Sequence, residues 1–511
     1  MNPPMNPVGL RRLFRCSLLA VAALLVAAPA ARADLKAQID PILADKLLHK
    51  GSVGVEIIRL GEKPADDETV YERNASEPLV PASNLKLVTT AAALDKLGPK
   101  FRFQTVLALL PDGNVVIIGD GDPSLGDAEY LKKAGWRSNT LFERWAVTLK
   151  ENHNVKFVKD VIVDDGVFDG EFLHPRWPAD QVHKRYVPEL GGLNLNVNCV
   201  DFLVQASGAG RVVSYTMDPP NGYVSVKNTC VAGNENKIWL SRKAGTNEIV
   251  LRGESRGSTQ VPVSVTIHDP PMFAATVFAE MLSLKGVQRN GTVRREHGYR
   301  QRRLRDGDEG AGWRVIDAYE TPLTTILARA NKDSMNLYAE ALCKRLGYES
   351  GKETAPGVRE SGSWANGTAA MADFLRKAGV DEKEFALDDG CGLSKHNVIS
   401  PNALARVLAH EYHGKARDTY MNSLSIAGVD GTLEDRFRSS DLRDLRGRVV
   451  GKSGYINGVR TLSGFLKSKD GHPYAFSIMM NRIPDDAQVK VLQEKIIRAV
   501  DNHAASVATG Q

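Results

Sequence analysis

The stretch PASNLKLVTTAAAL, Pro81 to Leu94, decides the reading of this chain. It predicts one helix on which Leu85, Leu87, Val88, Ala91, Ala92, Ala93 and Leu94 leave no polar face wide enough to sit in water. A helix that is apolar all round is a buried one. Yet Ser83 and Lys86 stand three positions apart near its start, and residues i and i+3 share a helix face. Free N–H groups and the positive dipole end at a helix N-terminus favour developing negative charge. A lysine held out of water loses part of its preference for the charged form and, once neutral, takes a proton from a serine hydroxyl. Alone, Ser-x-x-Lys reads equally as a helix cap with a snorkelling lysine.

Two further stretches decide between these readings. NKDSMNLYAEALCKRLG carries Ser334-Met335-Asn336 at an inter-helix turn, and VVGKSGYINGVRTLSGF carries Lys452-Ser453-Gly454 on a strand-like run. Ser-x-x-Lys, Ser-x-Asn and Lys-Ser/Thr-Gly in this order are the signature of penicillin-recognising serine acyltransferases.

Around these motifs the pattern changes twice. A helix is expected from Leu35 to His49, then strands in GSVGVEIIRL and ETVYERN. From about Phe101 short alternating runs dominate, among them RFQTVLALL, NVVIIGD, VKDVIVDD, KIWLSRK and EIVLRGE, punctuated by Gly, Pro and Asn. Helical periodicity returns at MFAATVFAEMLSLKG. The basic run Arg294 to Gly310 reads as a solvated linker, or else as a contact for an anionic polymer. After Trp313 come long helices, Leu323 to Leu346 and Thr368 to Ala378, an edge strand GVRTLSGFLKS, a strand PYAFSIMMN and a closing helix. The expected fold is α/β (α+β): an antiparallel sheet with helices, residues 34–107 and 313–511, split by a β-rich insertion, 108–312.

The first 33 residues hold Arg11, Arg12 and Arg15, then the apolar CSLLAVAALLVAA, then Ala-Arg-Ala ending at Ala33. This is a secretory signal peptide, too short to be a membrane anchor. With Arg32 it contributes four cations and no acid; without it 62 basic side chains face 61 acidic ones, which gives no argument for a nucleic-acid partner. Export leaves Cys199, Cys230, Cys343 and Cys391, and Cys199–Cys230 is the favoured disulfide. No metal is expected. The cysteine spacings match no zinc pattern, the eleven histidines lack H-x-x-x-H or H-E-x-x-H spacing, and Asp120, Asp122, Asp164 and Asp165 read as turn caps. No dinucleotide or phosphate-binding fingerprint appears, so no cofactor is expected.

On Ser83-x-x-Lys86, Ser334-x-Asn336 and Lys452-Ser453-Gly454 the chain resembles the class C low-molecular-mass penicillin-binding proteins, the D-alanyl-D-alanine carboxypeptidase/endopeptidases. The gap of 251 positions between Ser83 and Ser334 suits their two inserted β-rich domains, so the resemblance implies that 108–312 holds two smaller nested domains, and GDGDPSL, VDDGVFDG, LNLNVN, DDGCGLS and AGVDGTLEDR are similar to their motifs. The resemblance implies a periplasmic serine D,D-peptidase acting on peptidoglycan stem peptides and inhibited by β-lactams. Ser83 would be the nucleophile, Lys86 its base and Ser334 the proton donor to the leaving amine. Asn336 would orient substrate and Lys86, Lys452 and Ser453 would meet the substrate carboxylate, and Lys452 would lower the Lys86 pKa by repulsion. The backbone N–H groups of Ser83 and Tyr455 would form the oxyanion hole. Two positions depart from the family: Tyr455 follows Gly454 where a second small hydroxyl is usual, and Cys391 replaces a serine in DDGCGLS. The rival readings are a β-lactamase and an inactive peptidoglycan-binding scaffold.

Overall fold

The computed structural model describes residues 35–310, 312–355 and 358–509. The signal peptide expected over 1–33 lies outside them. Two compact units divide the chain, one formed by residues up to Leu79, Ile399–His413 and Ser425 onward, the other by Val80–Val398 and Gly414–Leu424.

The first unit is built on a six-stranded antiparallel sheet in the order Glu68–Arg73, Ser52–Arg59, Pro473–Asn481, Val459–Lys467, Val449–Ile456, Ser425–Ile426. Successive side chains of a strand face opposite sides. Tyr474, Phe476, Ile478 and Met480 accordingly join one apolar cluster, with Leu35 and Ile39 of the helix over 35–43 and Leu492 and Ile496 of Gln488–Thr509. Helix Pro401–His413 packs against the same strands, and burial on both faces explains why PYAFSIMMN is apolar almost throughout. GVRTLSGFLKS is not the edge strand expected. It pairs on both sides, with Val449–Ile456 and with Pro473–Asn481, and its buried run Thr461–Leu466 needs cover that an edge would not give.

In the second unit helix Leu85–Leu97 packs against Leu323–Asn331, Asn336–Ser350 and Trp364–Lys377. The long helix expected from Leu323 to Leu346 is thus two, parted by a turn in which Ser334 has φ +56°. The five-stranded sheet of this unit runs Val293–Arg295, Val161–Asp164, Val115–Ile118, Arg102–Leu109, Arg314–Pro322. Its first two pairings are parallel and the rest antiparallel. Parallel neighbours need crossovers, and helices Thr140–Val147 and Pro270–Leu284 meet over them through Phe142, Trp145 and Phe278. The fully buried runs Val115–Ile118 and Val161–Asp164 are what such strands look like in sequence.

Two further expectations are corrected. The basic segment Arg294 to Gly310 is not a solvated linker but the end of a strand and a helix, Tyr299–Gly310. Three of its cations have acidic partners in the same unit: Arg294 on Asp160, Arg295 on Asp165, Arg300 on Asp120. The favoured disulfide is absent too, since Cys199, Cys230, Cys343 and Cys391 are all free and buried. Cys199 pairs with Thr266 in one sheet, whereas Cys230 precedes Val231–Ala232 of another, so closeness in sequence does not bring their sulfurs together. Among the described residues no helix is long and apolar enough to cross a membrane.

Candidate active site

Ser83 lies in a single 3₁₀ turn, Ala82–Asn84, that leads into helix Leu85–Leu97. Ala and Leu favour the helix, and Gly98 at φ +79° ends it with its N–H on the Leu94 carbonyl. Ala82 before the serine is also left-handed, at φ +46°. Gly392 passes so close that an added Cβ would stand 1.8 Å from the Ala82 carbonyl oxygen, so only glycine fits there.

Lys86 is fully buried. Its Nζ donates to Ser83 Oγ at 2.9 Å, to Asn336 Oδ1 at 2.8 Å and to the Cys391 carbonyl at 2.8 Å. Three acceptors match the three protons of an ammonium. None of the three is charged. Burial pushes the Lys86 pKa down, against the opposing pull of the Glu340 and Asp389 carboxylates. With one proton gone, the Asn336 amide oxygen and the Cys391 carbonyl oxygen can accept the two that remain, and the lone pair is left facing Ser83. An amine so placed can take a proton from the hydroxyl beside it.

Asn336 opens helix Asn336–Ser350, and its amide is fixed at both ends. Oδ1 accepts from Lys86, while Nδ2 donates to the Tyr186 carbonyl at 2.6 Å. One turn further along, Glu340 is buried beneath the DDGCGLS segment. Its carboxylate accepts the backbone N–H groups of Gly390 at 3.0 Å and Cys391 at 2.7 Å and the Trp364 indole N–H at 2.7 Å. Burial, with Asp389 alongside, raises the Glu340 pKa to about 7. Asp389 in turn accepts from Gly392 N at 2.7 Å, Ser394 N at 2.7 Å and Trp177 Nε1 at 2.9 Å. These two carboxylates shape the turn that offers the Cys391 carbonyl to Lys86.

Glu340, Asp389 and Cys391 bring donor atoms within 4.8 Å of one another, the spacing of a metal site. Their chemistry does not suit a metal. The carboxylate oxygens are engaged by N–H donors, and burial beside Asp389 and Glu340 pushes the Cys391 thiol well above its usual pKa, away from the thiolate a metal requires. Cys391 is therefore a neutral buried thiol whose carbonyl, not its sulfur, meets Lys86.

The third motif lies in the other unit, on strand Val449–Ile456. Lys452 is buried there, with Nζ on the Ser453 carbonyl at 2.7 Å. Ser453 Oγ donates to Thr432 Oγ1 at 2.9 Å, and Gly454 pairs with Thr461. The exposed Tyr455 donates its hydroxyl to Asp485 at 2.8 Å under the Arg460 guanidinium, 3.7 Å above its ring. Ser83, Lys86 and Asn336 are thus joined directly, and Ser334 stands two residues before Asn336 on the same turn. Sequence reasoning missed Glu340, Asp389, Trp177, Tyr186 and Thr432. A signal for Glu340 existed: it lies four positions after Asn336, on the same helix face.

The chain is similar to known proteins over nearly its whole length. It is 29% identical over 497 residues to a D-alanyl-D-alanine carboxypeptidase of an Actinomadura species, covering 92% of this chain and 85% of that one. It is 25% identical to the D-alanyl-D-alanine carboxypeptidase DacB of Haemophilus influenzae, covering 86% and 87%. The fold matches the crystal structure of penicillin binding protein 4 of Haemophilus influenzae with a TM-score of 0.72, at 21% identity, over 91% of this chain and 99% of that one. The D-Ala-D-Ala carboxypeptidase 3 (S13) family matches residues 35–503, and the chain belongs to that family.

Proposed function

We propose that Ser83 is the nucleophile of a D,D-peptidase that removes the terminal D-alanine from peptidoglycan stem peptides, and also cuts D-alanyl cross-links. The observation that carries this is the fully buried Lys86, whose Nζ sits 2.9 Å from Ser83 Oγ with only neutral acceptors around it. Lys86 Nζ takes the Ser83 proton as Oγ bonds to the carbonyl carbon of the penultimate D-alanine. The backbone N–H groups of Ser83 and Tyr455 receive the oxyanion. Ser334 passes a proton to the nitrogen of the terminal D-alanine as the C–N bond breaks. Water then attacks the acyl-Ser83 ester and restores the hydroxyl. Lys452 and Ser453 take the substrate carboxylate. Tyr455, whose hydroxyl is tied to Asp485, adds no second hydroxyl to that contact. Cleavage of a signal peptide near Ala33 would deliver the enzyme to the periplasm.

The test is intact mass of the mature protein after brief exposure to benzylpenicillin. One lasting adduct on the wild type and none on Ser83→Ala is expected. No adduct on folded wild type overturns the acylation mechanism and leaves a peptidoglycan-binding scaffold. A fleeting adduct with hydrolysed drug in solution identifies a β-lactamase.

A further inference from the structure

The turn that carries Ser334 is gripped from outside the three motifs. Ser334 has φ +56°, a conformation that serine adopts at a cost and keeps only where its surroundings enforce it. Arg329, at the end of helix Leu323–Asn331, brackets that turn at both ends. Its carbonyl accepts the Met335 N–H at 3.2 Å, and its Nη1 donates to Asp333 Oδ2 at 2.7 Å. The guanidinium is itself anchored on Asp127, with Nη2 at 2.6 Å and Nε at 3.1 Å from Oδ2. Asp127 is fully buried, and its Oδ2 also accepts the Tyr338 hydroxyl at 2.5 Å, from the helix that begins at Asn336. Its other oxygen caps the helix Ala128–Leu131, accepting from Glu129 N at 3.2 Å. A fork-shaped guanidinium with one face on a buried carboxylate and one nitrogen on an exposed one holds two points at a fixed separation, as a lysine cannot.

We infer that Arg329, held by Asp127 and reaching Asp333, is a positioning residue that keeps the Ser334 hydroxyl where it can protonate the leaving nitrogen. Asp127 lies in the segment between the first and second motifs, so this segment takes part in the chemistry through the clamp. The inference rests on the reading of Ser334 as proton donor. It predicts a selective defect. The nitrogen of an amide does not depart unprotonated, whereas the oxygen of an ester needs far less help.

The experiment compares two probes that differ in one atom: a diacyl-lysyl-D-Ala-D-Ala peptide and the matched D-Ala-D-lactate ester. Arg329→Lys retains a charge opposite Asp127 but loses the fork. Asp333→Asn alters only a residue that is 42% exposed, so it folds. For both variants kcat on the amide should fall about tenfold, with KM little changed and the ester affected less than about twofold. Ser334→Ala should show the same split, larger. If the clamp variants slow amide and ester alike, or neither, while Ser334→Ala shows the split, the clamp is overturned and the role of Ser334 stands. If Ser334→Ala shows no split, Ser334 is not the donor and both readings fall.

Discussion

Two fully buried lysines of the second unit, Lys86 and Lys344, live in opposite surroundings. Lys86 has a hydroxyl, an amide and a carbonyl around its Nζ. Lys344 has the Asp169 carboxylate at 2.6 Å, the Glu171 carbonyl at 2.6 Å and the Trp364 ring 3.8 Å away. Burial pushes both pKa values down, but at Lys344 the direct pull of Asp169 opposes it. Dipoles alone surround Lys86, as suits the base proposed there; Lys344 has a counter-ion and an aromatic face, which favour its charged form. Both have Trp364 nearby: its ring lies under Lys344, and its N–H reaches Glu340, which shapes the turn that meets Lys86.

The largest effect expected of this difference is a double dissociation. Lys86→Met should lower the rate of acylation by benzylpenicillin by at least about a thousandfold, the scale of a lost general base. It should leave stability near the wild-type value, because a desolvated cation is removed along with its hydrogen bonds. Lys344→Met should keep acylation within about threefold and cost about 2 kcal/mol in urea unfolding, since Asp169 loses its partner while retaining partial access to solvent. Stopped-flow acylation and denaturant titration on both variants settle it. If Lys344→Met loses acylation, or Lys86→Met loses stability without losing acylation, the contrast is broken.

A smaller effect concerns pH. Acylation should rise as pH climbs through the lowered pKa of Lys86, because in the proposed mechanism the neutral amine is the base. Glu340, ionised above its own pKa of about 7, holds the Lys86 pKa up. Glu340→Gln removes that charge, so the acid limb of the acylation profile should move to lower pH. The same change places an amide NH₂ near backbone N–H groups of the 390–391 turn, and the limiting rate should fall about tenfold. Stability carries the opposite pH sign at this position. A carboxyl whose folded pKa is raised stabilises the fold at low pH and loses that contribution as pH rises through about 7. The wild type should therefore lose more stability than Glu340→Gln between pH 5 and pH 8. An acid limb that stays in place in Glu340→Gln would remove Glu340 from the Lys86 site.

The contrast also marks what the sequence could reveal. That Ser83, Lys86 and Asn336 come together was legible because the acyltransferase signature links their types in order, and the helix around Lys86 shows its burial through its composition. The sheet of the first unit was legible as strands, but GVRTLSGFLKS was misplaced, since the Arg and Lys at its ends suggest an edge while its centre is buried on both faces. Lys344 and Glu340 were invisible as buried groups. Both sit in a helix rich in Glu, Lys and Arg, and it is the tertiary packing against it, of helix Trp364–Lys377, the 390–391 turn and the 169–171 segment, that takes them out of water. The cysteines misled because spacing along the chain does not report which sheet a residue joins.

The smallest expected effect lies at Trp364, where the two lysine sites come nearest to one another. Trp364→Phe keeps an aromatic face for Lys344 and deletes the indole N–H that Glu340 accepts at 2.7 Å. The Lys344 side should therefore feel little beyond a weaker cation–π contact, about 1 kcal/mol of stability at most. The Lys86 side should respond through the carboxylate. That N–H lowers the Glu340 pKa, so its loss raises it, and Glu340 stays neutral to higher pH. A neutral Glu340 no longer supports the Lys86 ammonium, which shifts the acid limb of acylation slightly downward, in the direction of Glu340→Gln but by less. The acid limbs of wild type, Trp364→Phe and Glu340→Gln should then stand in that order from high to low pH. A Trp364→Phe profile that moves upward, or one that overtakes Glu340→Gln, would mean that Lys86 feels Trp364 by some route other than Glu340.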